Sequence, residues 1–434
     1  MGIIIGIIAG AIITWFCAWY FWKKKPPHKE EDEKKIDKIE KKIDSLSGDF
    51  KIYIDGLSQS INPVKIPFRR GIKSMEEFRW QEAISFFRKA LKEARNNEIA
   101  ALFNIIGICY RTIGKSDQAF DSFEESLRLS IIYKDSEAEA AALGNIGVIF
   151  RLKGELNRAL KSHEGALKIN RKIGDQKFEA IQLGNIGSIF LTKGEYITAL
   201  KYYEDSLKIH RQIGNLTGEV YQLNNISLVF EAKGEFDTAL KYLENALKKS
   251  RKATDRIMEG GVLGNIAIIY GKKGEIKTAL KYLEDGLKIH RQVGYLEGEA
   301  NHLGNIGLVY ENLGELDLAL DYLKDALRIN RELGKREGES NQLGNIGVIY
   351  KSKGELDMAL EYQKDALEIA QEIGYIRGIA TNNANIGWIF EAKGEYQKAI
   401  DFLTKAYELF AKIGADPDHD KIFKYVEKIK KDIK

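Results

Sequence analysis

Apolar residues in this chain recur with helical spacing, and the helices they mark recur with a longer spacing of their own. In the stretch from Leu183 to Gln222, Leu183, Ile186, Ile189 and Phe190 fall at i, i+3, i+6 and i+7, one face of a helix. Lys193-Gly194-Glu195 then interrupts the pattern, since glycine tolerates the left-handed conformation that ends a helix. A second stripe follows at Tyr196, Ala199, Leu200, Tyr203, Leu207, Ile209 and Ile213 and stops at Gly214. Asn215, or Asp175 one unit earlier, is placed to cap the helix that comes next. Small residues stand where helices must approach closely: Gly187, Ala199 and Ser206.

The whole unit repeats every 40 residues. Asn145, Asn185, Asn225, Asn265, Asn305, Asn345 and Asn385 form one ladder, and Gly114 to Gly394 and Ala119 to Ala399 form two more. A fixed period of this length predicts a solenoid of helix pairs, in which neither helix can bury its stripe alone and stability comes from stacking.

Residues at set offsets inside the unit resemble the tetratricopeptide pattern: Gly147, Phe150, Ala159, His163 and Ala166, and later Gly307, Tyr310, Ala319, Leu323 and Ala326. The unit is longer than the usual 34 residues, and Leu143-Gly144-Asn145 recurs as Leu-Gly-Asn at 183, 263, 303 and 343. Both features resemble the Leu-Gly-Asn-repeat scaffold family (LGN/Pins) over roughly residues 100–414. The resemblance implies an all-α superhelix whose first helices line a concave face.

The array is expected over 63–414, about nine helix-turn-helix repeats. Its first unit, 63–97, is degenerate, because Gly71, Ala83, Phe87 and Ala90 hold the pattern but Ala83 to Ala119 is only 36 residues. Residues 415–434 are expected to cap the open end with Ile422, Val426 and Ile429. Before the array, residues 1–22 predict one transmembrane helix. The run 3–22 has no charge and is long enough to cross about 30 Å of hydrocarbon. Trp15, Trp19, Tyr20 and Trp22 crowd its end beside Lys23-Lys24-Lys25, which predicts a single-pass protein with its amino terminus outside and its repeats cytoplasmic. Gly2, Gly6, Gly10, Thr14 and Ala18 either pair such helices in a homodimer or are glycines of the kind common in membrane helices. The segment 23–62 reads as a charged spacer, with a short coiled-coil seam at Ile36, Ile39, Ile43 and Leu46 as the alternative.

Charge and chemistry narrow the function. A net charge of +4 on 434 residues implies no general affinity for nucleic acid, and two cysteines exclude a disulfide framework. The second helices carry lysine columns at 161, 201, 241 and 281 and at 168, 208, 248 and 288, the latter preceded by Glu164, Glu204, Glu244 and Glu284 at favourable i,i+4 spacing, the pattern of a solvated face. Gly114-Lys115-Ser116 ends a near miss to a phosphate loop, but position 109 is cysteine and the stretch follows a helix. The six histidines show no metal-ligand spacing; His210 and His290 share a repeat position with Asn170 and Ser250 and read as exposed. No catalytic, metal or cofactor residues are found, so the chain is expected not to be an enzyme.

The asparagine ladder is the candidate site. Asparagine is a mediocre helix-interior residue, yet it recurs in seven units, off the face of Leu183, Ile186 and Phe190. The resemblance implies that it lines the concave groove and hydrogen-bonds the backbone of a partner peptide; the alternative is that each amide staples neighbouring helices. Tyr221, His302 and Trp388 are the expected selectivity residues of this groove, and the column Glu139, Glu179, Glu219, Glu259, Glu299 and Glu339 forms an acidic rim that favours a basic or polar segment. The function expected is a membrane-anchored scaffold that recruits a protein segment, probed most naturally as an extended chain. The alternatives are a targeting or chaperone receptor and a regulatory subunit of an enzyme complex.

Overall fold

The structure, a computed structural model, describes residues 66–413 and 422–428. Among the described residues it is helical throughout: α1 (Ile66–Glu76), α2 (Trp80–Leu91), α3 (Asn96–Thr112), α4 (Ser116–Ile132), α5 (Ser136–Leu152), α6 (Leu156–Ile173), α7 (Gln176–Thr192), α8 (Tyr196–Gln212), α9 (Leu216–Ala232) and α10 (Phe236–Lys252). The series continues with α11 (Arg256–Lys272), α12 (Ile276–Val293), α13 (Leu296–Asn312), α14 (Leu316–Glu332), α15 (Arg336–Ser352), α16 (Leu356–Glu372), α17 (Ile376–Ala392), α18 (Tyr396–Lys412) and α19 over 422–428.

Odd and even helices bury themselves differently. The second helix of each pair is amphipathic; α10 buries Ala239, Leu240, Leu243, Ala246 and Ser250 along one stripe and turns its lysines outward. The first helix is enclosed on most sides, and α9 is buried almost continuously from Gly218 to Glu231. Consecutive first helices touch one another, whereas consecutive second helices do so less, so the array curves with the first helices inside. Within most pairs a glycine admits a large neighbour: a Cβ on Gly187 would lie 2.8 Å from the Tyr203 ring, and one on Gly71 2.6 Å from Phe87, so the degenerate first unit uses the same contact. Gly194 ends its first helix in the left-handed region at φ 75°, and Lys134 and Thr254 take that conformation at the ends of second helices, where other units have Gly174 and Gly214.

The curve closes on itself. Trp80 Nε1–H donates to the Leu333 carbonyl at 3.2 Å, and Ser116 Oγ to the Ile373 carbonyl at 3.0 Å, across 253 and 257 residues. With a 40-residue unit, one superhelical turn takes about six and a half repeats, and the second turn seats on the first. Gly114 lies in that seam; any Cβ there would fall 2.2 Å from Ile373 Cγ2. The near miss to a phosphate loop thus has a packing role.

At the far end α19 packs Ile422 and Val426 against Leu403, Phe410 and Ile413, as a half-unit closing the stack. One expectation is corrected here. The fold is an all-helical repeat solenoid, and among the described residues no helix is long and apolar enough to cross a membrane, because each is 18 residues or shorter and carries charged side chains. The single-pass localisation is corrected with it. The run 3–22, the spacer at 23–62 and the Gly2, Gly6, Gly10 stripe lie outside the described residues.

Candidate partner-binding channel

The first helices line the inside of the superhelix, and the asparagine ladder runs along them. Its members share a sequence position but not an environment. Asn145, Asn185 and Asn225 are buried, whereas Asn265, Asn305, Asn345 and Asn385 are half-buried. Asn145 Nδ2–H donates to Asn104 Oδ1 at 2.5 Å and Asn265 Nδ2–H to Asn224 Oδ1 at 2.5 Å, each reaching the preceding first helix. Asn225 donates to Gln222 Oε1 at 3.3 Å and Asn385 to Gln363 Oε1 at 3.4 Å. Asn345 differs: its Nδ2 is shielded from water and has no hydrogen-bond partner among the described residues.

Beside the later asparagines stand Ile268, Leu308, Val348 and Trp388, all half-buried, so the late first helices present an amide edge next to an apolar ridge. Trp388 meets the Tyr425 ring of α19 edge-on at 4.5 Å, which ends the ridge. Tyr221 is half-buried on α9. His302 is not at the channel surface: it is 3 % exposed and packed between repeats, with a Cβ on Gly264 only 3.0 Å from its Cε1.

His302 exposes a relation that periodicity alone did not. The residue three before five of the seven asparagines (Gln182, Gln222, His302, Gln342, Asn382) lies over the glycine of the preceding Leu-Gly-Asn or its equivalent, at Gly144, Gly184, Gly264, Gly304 and Gly344. That glycine is small because the next repeat's polar side chain rests on it. The signal was visible as a polar column at 40-residue spacing, but its packing partner was not.

Other charged and titratable groups are also turned inward. The four described histidines are buried: His163 Nδ1–H donates to Gln182 Oε1 at 2.8 Å, and His210 Nδ1 accepts from Asn215 Nδ2 at 3.0 Å. Burial lowers His163 and His210 to about 4 and His302 to about 3, so they are neutral near pH 7. His290, expected to be exposed, is 2 % exposed and its Nε2–H donates to the Ile257 carbonyl at 3.0 Å. The acidic rim is largely paired within the chain. Arginines at the ends of second helices reach the next first helix as Arg171–Glu179, Arg251–Glu259, Arg291–Glu299 and Arg331–Glu339, at 2.7 to 2.9 Å, and Arg211–Glu219 at 3.6 Å. The rim is therefore mostly neutralised within the chain, with Glu139 its one member that has no ion pair among the described residues. Burial raises the Cys109 thiol, which stays protonated inside the core. Among the described residues no group of three or more His, Cys, Asp or Glu is arranged to hold a metal ion.

Comparison with known proteins agrees with this architecture. The family model described as "Tetratricopeptide repeat" matches residues 138–212, 219–292, 260–332, 298–372 and 341–412, together more than half of the chain. No curated protein matches the chain. Among solved structures, a Rap protein complexed with Competence and Sporulation Factor is similar at a TM-score of 0.54 and 13 % identity, over 81 % of this chain and 99 % of that one. The Rap conjugation gene regulator of the plasmid pLS20, in complex with the Phr* peptide, is similar at 0.53 and 13 %, over 73 % and 96 %. Aspartyl phosphate phosphatase F from Bacillus subtilis is similar at 0.51 and 12 %, over 91 % and 98 %. At these identities the likeness is one of fold.

Proposed function

The chain belongs to the tetratricopeptide repeat family, and on that premise we propose that it is an interaction scaffold that holds an extended segment of a partner protein in its channel. The observation that carries this reading is the Asn345 amide, shielded from water and without a partner beside an apolar ridge. Buried polar groups are almost always hydrogen-bonded, and a side-chain amide with donors and an acceptor is suited to a peptide backbone of any sequence. Two of the similar structures are complexes, one with Competence and Sporulation Factor and one with the Phr* peptide, which supports a peptide-sized occupant on this fold. The Leu-Gly-Asn ladder supports a scaffold of the LGN/Pins type. In this reading the chain carries no chemistry or cofactor of its own.

Packed helices are about 8–10 Å apart and an extended chain advances about 3.3 Å per residue, so each repeat passes about three partner residues. The test uses a photo-crosslinker. Val348→p-benzoylphenylalanine places it inside the channel and Lys288→p-benzoylphenylalanine on the outer face. The partner should crosslink from position 348 alone, and Asn305→Ala with Asn345→Ala should weaken its binding about tenfold without lowering the melting temperature. Crosslinks from position 288 alone would place the partner on the outer face and end this reading.

A further inference from the structure

The end of α4 breaks the repeat. Later second helices close on polar pairs such as Arg171-Lys172, Arg251-Lys252 and Arg291-Gln292, whereas α4 closes on Ile131 and Ile132, 55 % and 56 % exposed, followed by the exposed Tyr133. The exchange also removes an ion pair. Arg171, Arg251 and Arg291 each reach the glutamate eight residues on, while Ile131, at the same position, leaves Glu139 half-buried with no ion pair among the described residues. Earlier on the same face of α4, Asp121 stands where Lys161, Lys201 and Lys241 stand in later repeats, with Glu124 beside it. Both are exposed and have no ion pair among the described residues. An outer face that is lysine-bearing in α6, α8 and α10 is thus acidic and then apolar in α4.

Position in the superhelix accentuates the difference. Tight turns alternate the helix direction, so the ends of second helices and the starts of first helices share one edge of the array. On the second superhelical turn that edge seats against the first: Leu333 meets Trp80, Ile413 meets Gly154, and both are buried. Tyr133 holds the position of Leu333 five repeats earlier, and no described residue lies before its turn to cover it. The chain enters α1 at Ile66 on this same edge.

What precedes Ile66 carries the complementary pattern. Ile36, Ile39, Ile43 and Leu46 recur at 3-4-3 spacing, and over 34–46 the lysines at 34, 35, 38, 41 and 42 outnumber Asp37, Glu40 and Asp44. Reach is sufficient. Leu46 lies 20 residues before Ile66, enough to span about 65 Å, whereas three packed-helix steps from α1 to α4 cover about 30 Å.

We propose that residues 34–46 dock on the exposed end of α4, their apolar stripe covering Ile131 and Ile132 and a lysine answering Glu139 in place of the missing arginine. The docked segment gives the first turn the cover that the second turn receives from the first. The contact lies on the rim, outside the channel, so it stands or falls independently of the scaffold reading. A second copy of the chain is the competing occupant, because the same stripe could pair between chains as a coiled-coil seam.

The test is photo-crosslinking of the full chain carrying Ile132→p-benzoylphenylalanine, with Gln212→p-benzoylphenylalanine, the same position on α8, as the control. Isotope-labelled and unlabelled chains are mixed before irradiation, and the crosslinked peptides are read by mass spectrometry. Position 132 should crosslink to 34–46 of its own chain, and position 212 should not. Ile39→Asp with Ile43→Asp should lower that yield about tenfold, since it removes the apolar stripe, and Glu139→Lys should lower it by a smaller factor. Tyr133→p-benzoylphenylalanine repeats the measurement from the adjacent exposed residue, in case the first variant misfolds. Mixed-isotope products would assign the patch to a second copy and overturn the proposal. So would products from outside 34–46, a yield no higher than that from position 212, or a yield that Ile39→Asp with Ile43→Asp leaves unchanged.

Discussion

Asn145 and Asn345 occupy the same position five repeats apart, and they do different things. Asn145 is 3 % exposed and bonds Asn104 on the preceding repeat, so it joins two first helices. Asn345 is half-buried, with an amide nitrogen that nothing in the described chain accepts. Their ridge neighbours differ likewise: Val148 is 2 % exposed, whereas Val348 is half-buried. Repeat position therefore does not decide function by itself. Where an asparagine precedes the ladder position, as at Asn104 and Asn224, the next repeat's amide is satisfied. Where glycine precedes it, as at Gly304, the Asn345 amide is left for something else.

Three experiments press on that contrast, beginning with the largest effect. His163 packs beneath Gly147 in the early half, where the later repeats place Leu323 beneath Gly307. Its folded pKa, about 4, lies below the unfolded value, so the unfolded chain binds the proton first as the pH drops. Stability is then full above about pH 6.5 and is lost progressively toward pH 4. His163→Leu, the late residue at the early site, should reduce the loss between pH 7 and pH 5 by about 2 kcal/mol. Urea unfolding at the two pH values measures it; an unchanged difference would mean that His163 is protonated in the folded state.

The second experiment asks whether the late half is simply looser. Gly187→Val drives methyl groups into the Tyr203 ring, and Gly347→Val drives them into Gln363, both from a Cβ within 2.9 Å. Overpacking of this kind costs about 1–3 kcal/mol. Similar losses in both variants would show that pairs are packed alike and that only the channel side differs. A tolerated Gly347→Val would break the comparison, since poor packing would then explain the exposure of Asn345.

The smallest effect is the most direct. Asn145→Ala strands the buried Asn104 carbonyl oxygen and should cost about 1–3 kcal/mol. Asn345→Ala breaks no bond among the described residues, and alanine is the better helix former, so unfolding should shift by less than about 0.5 kcal/mol. Equal losses at both sites would make the whole ladder structural.

Much of the architecture was legible in the sequence because it is local. Stripes at 3.6-residue spacing, left-handed glycines and a 40-residue period specify helix pairs, their ends and their stacking, and each depends on residues close in the chain or one unit away. The exposed lysines of the outer face were legible for the same reason. What the sequence left open depends on curvature. No local pattern states that Trp80 meets Leu333 or that Gly114 meets Ile373, because small rotations per repeat must accumulate over about six units before those groups touch. Stacking also turned His302 from an expected channel residue into an inter-repeat spacer, because a side chain three positions before the ladder points back at the preceding glycine. The sequence by itself determined which residues recur. The tertiary structure decided which of the recurring amides are already bonded, since bonding depends on what the neighbouring repeat places within reach.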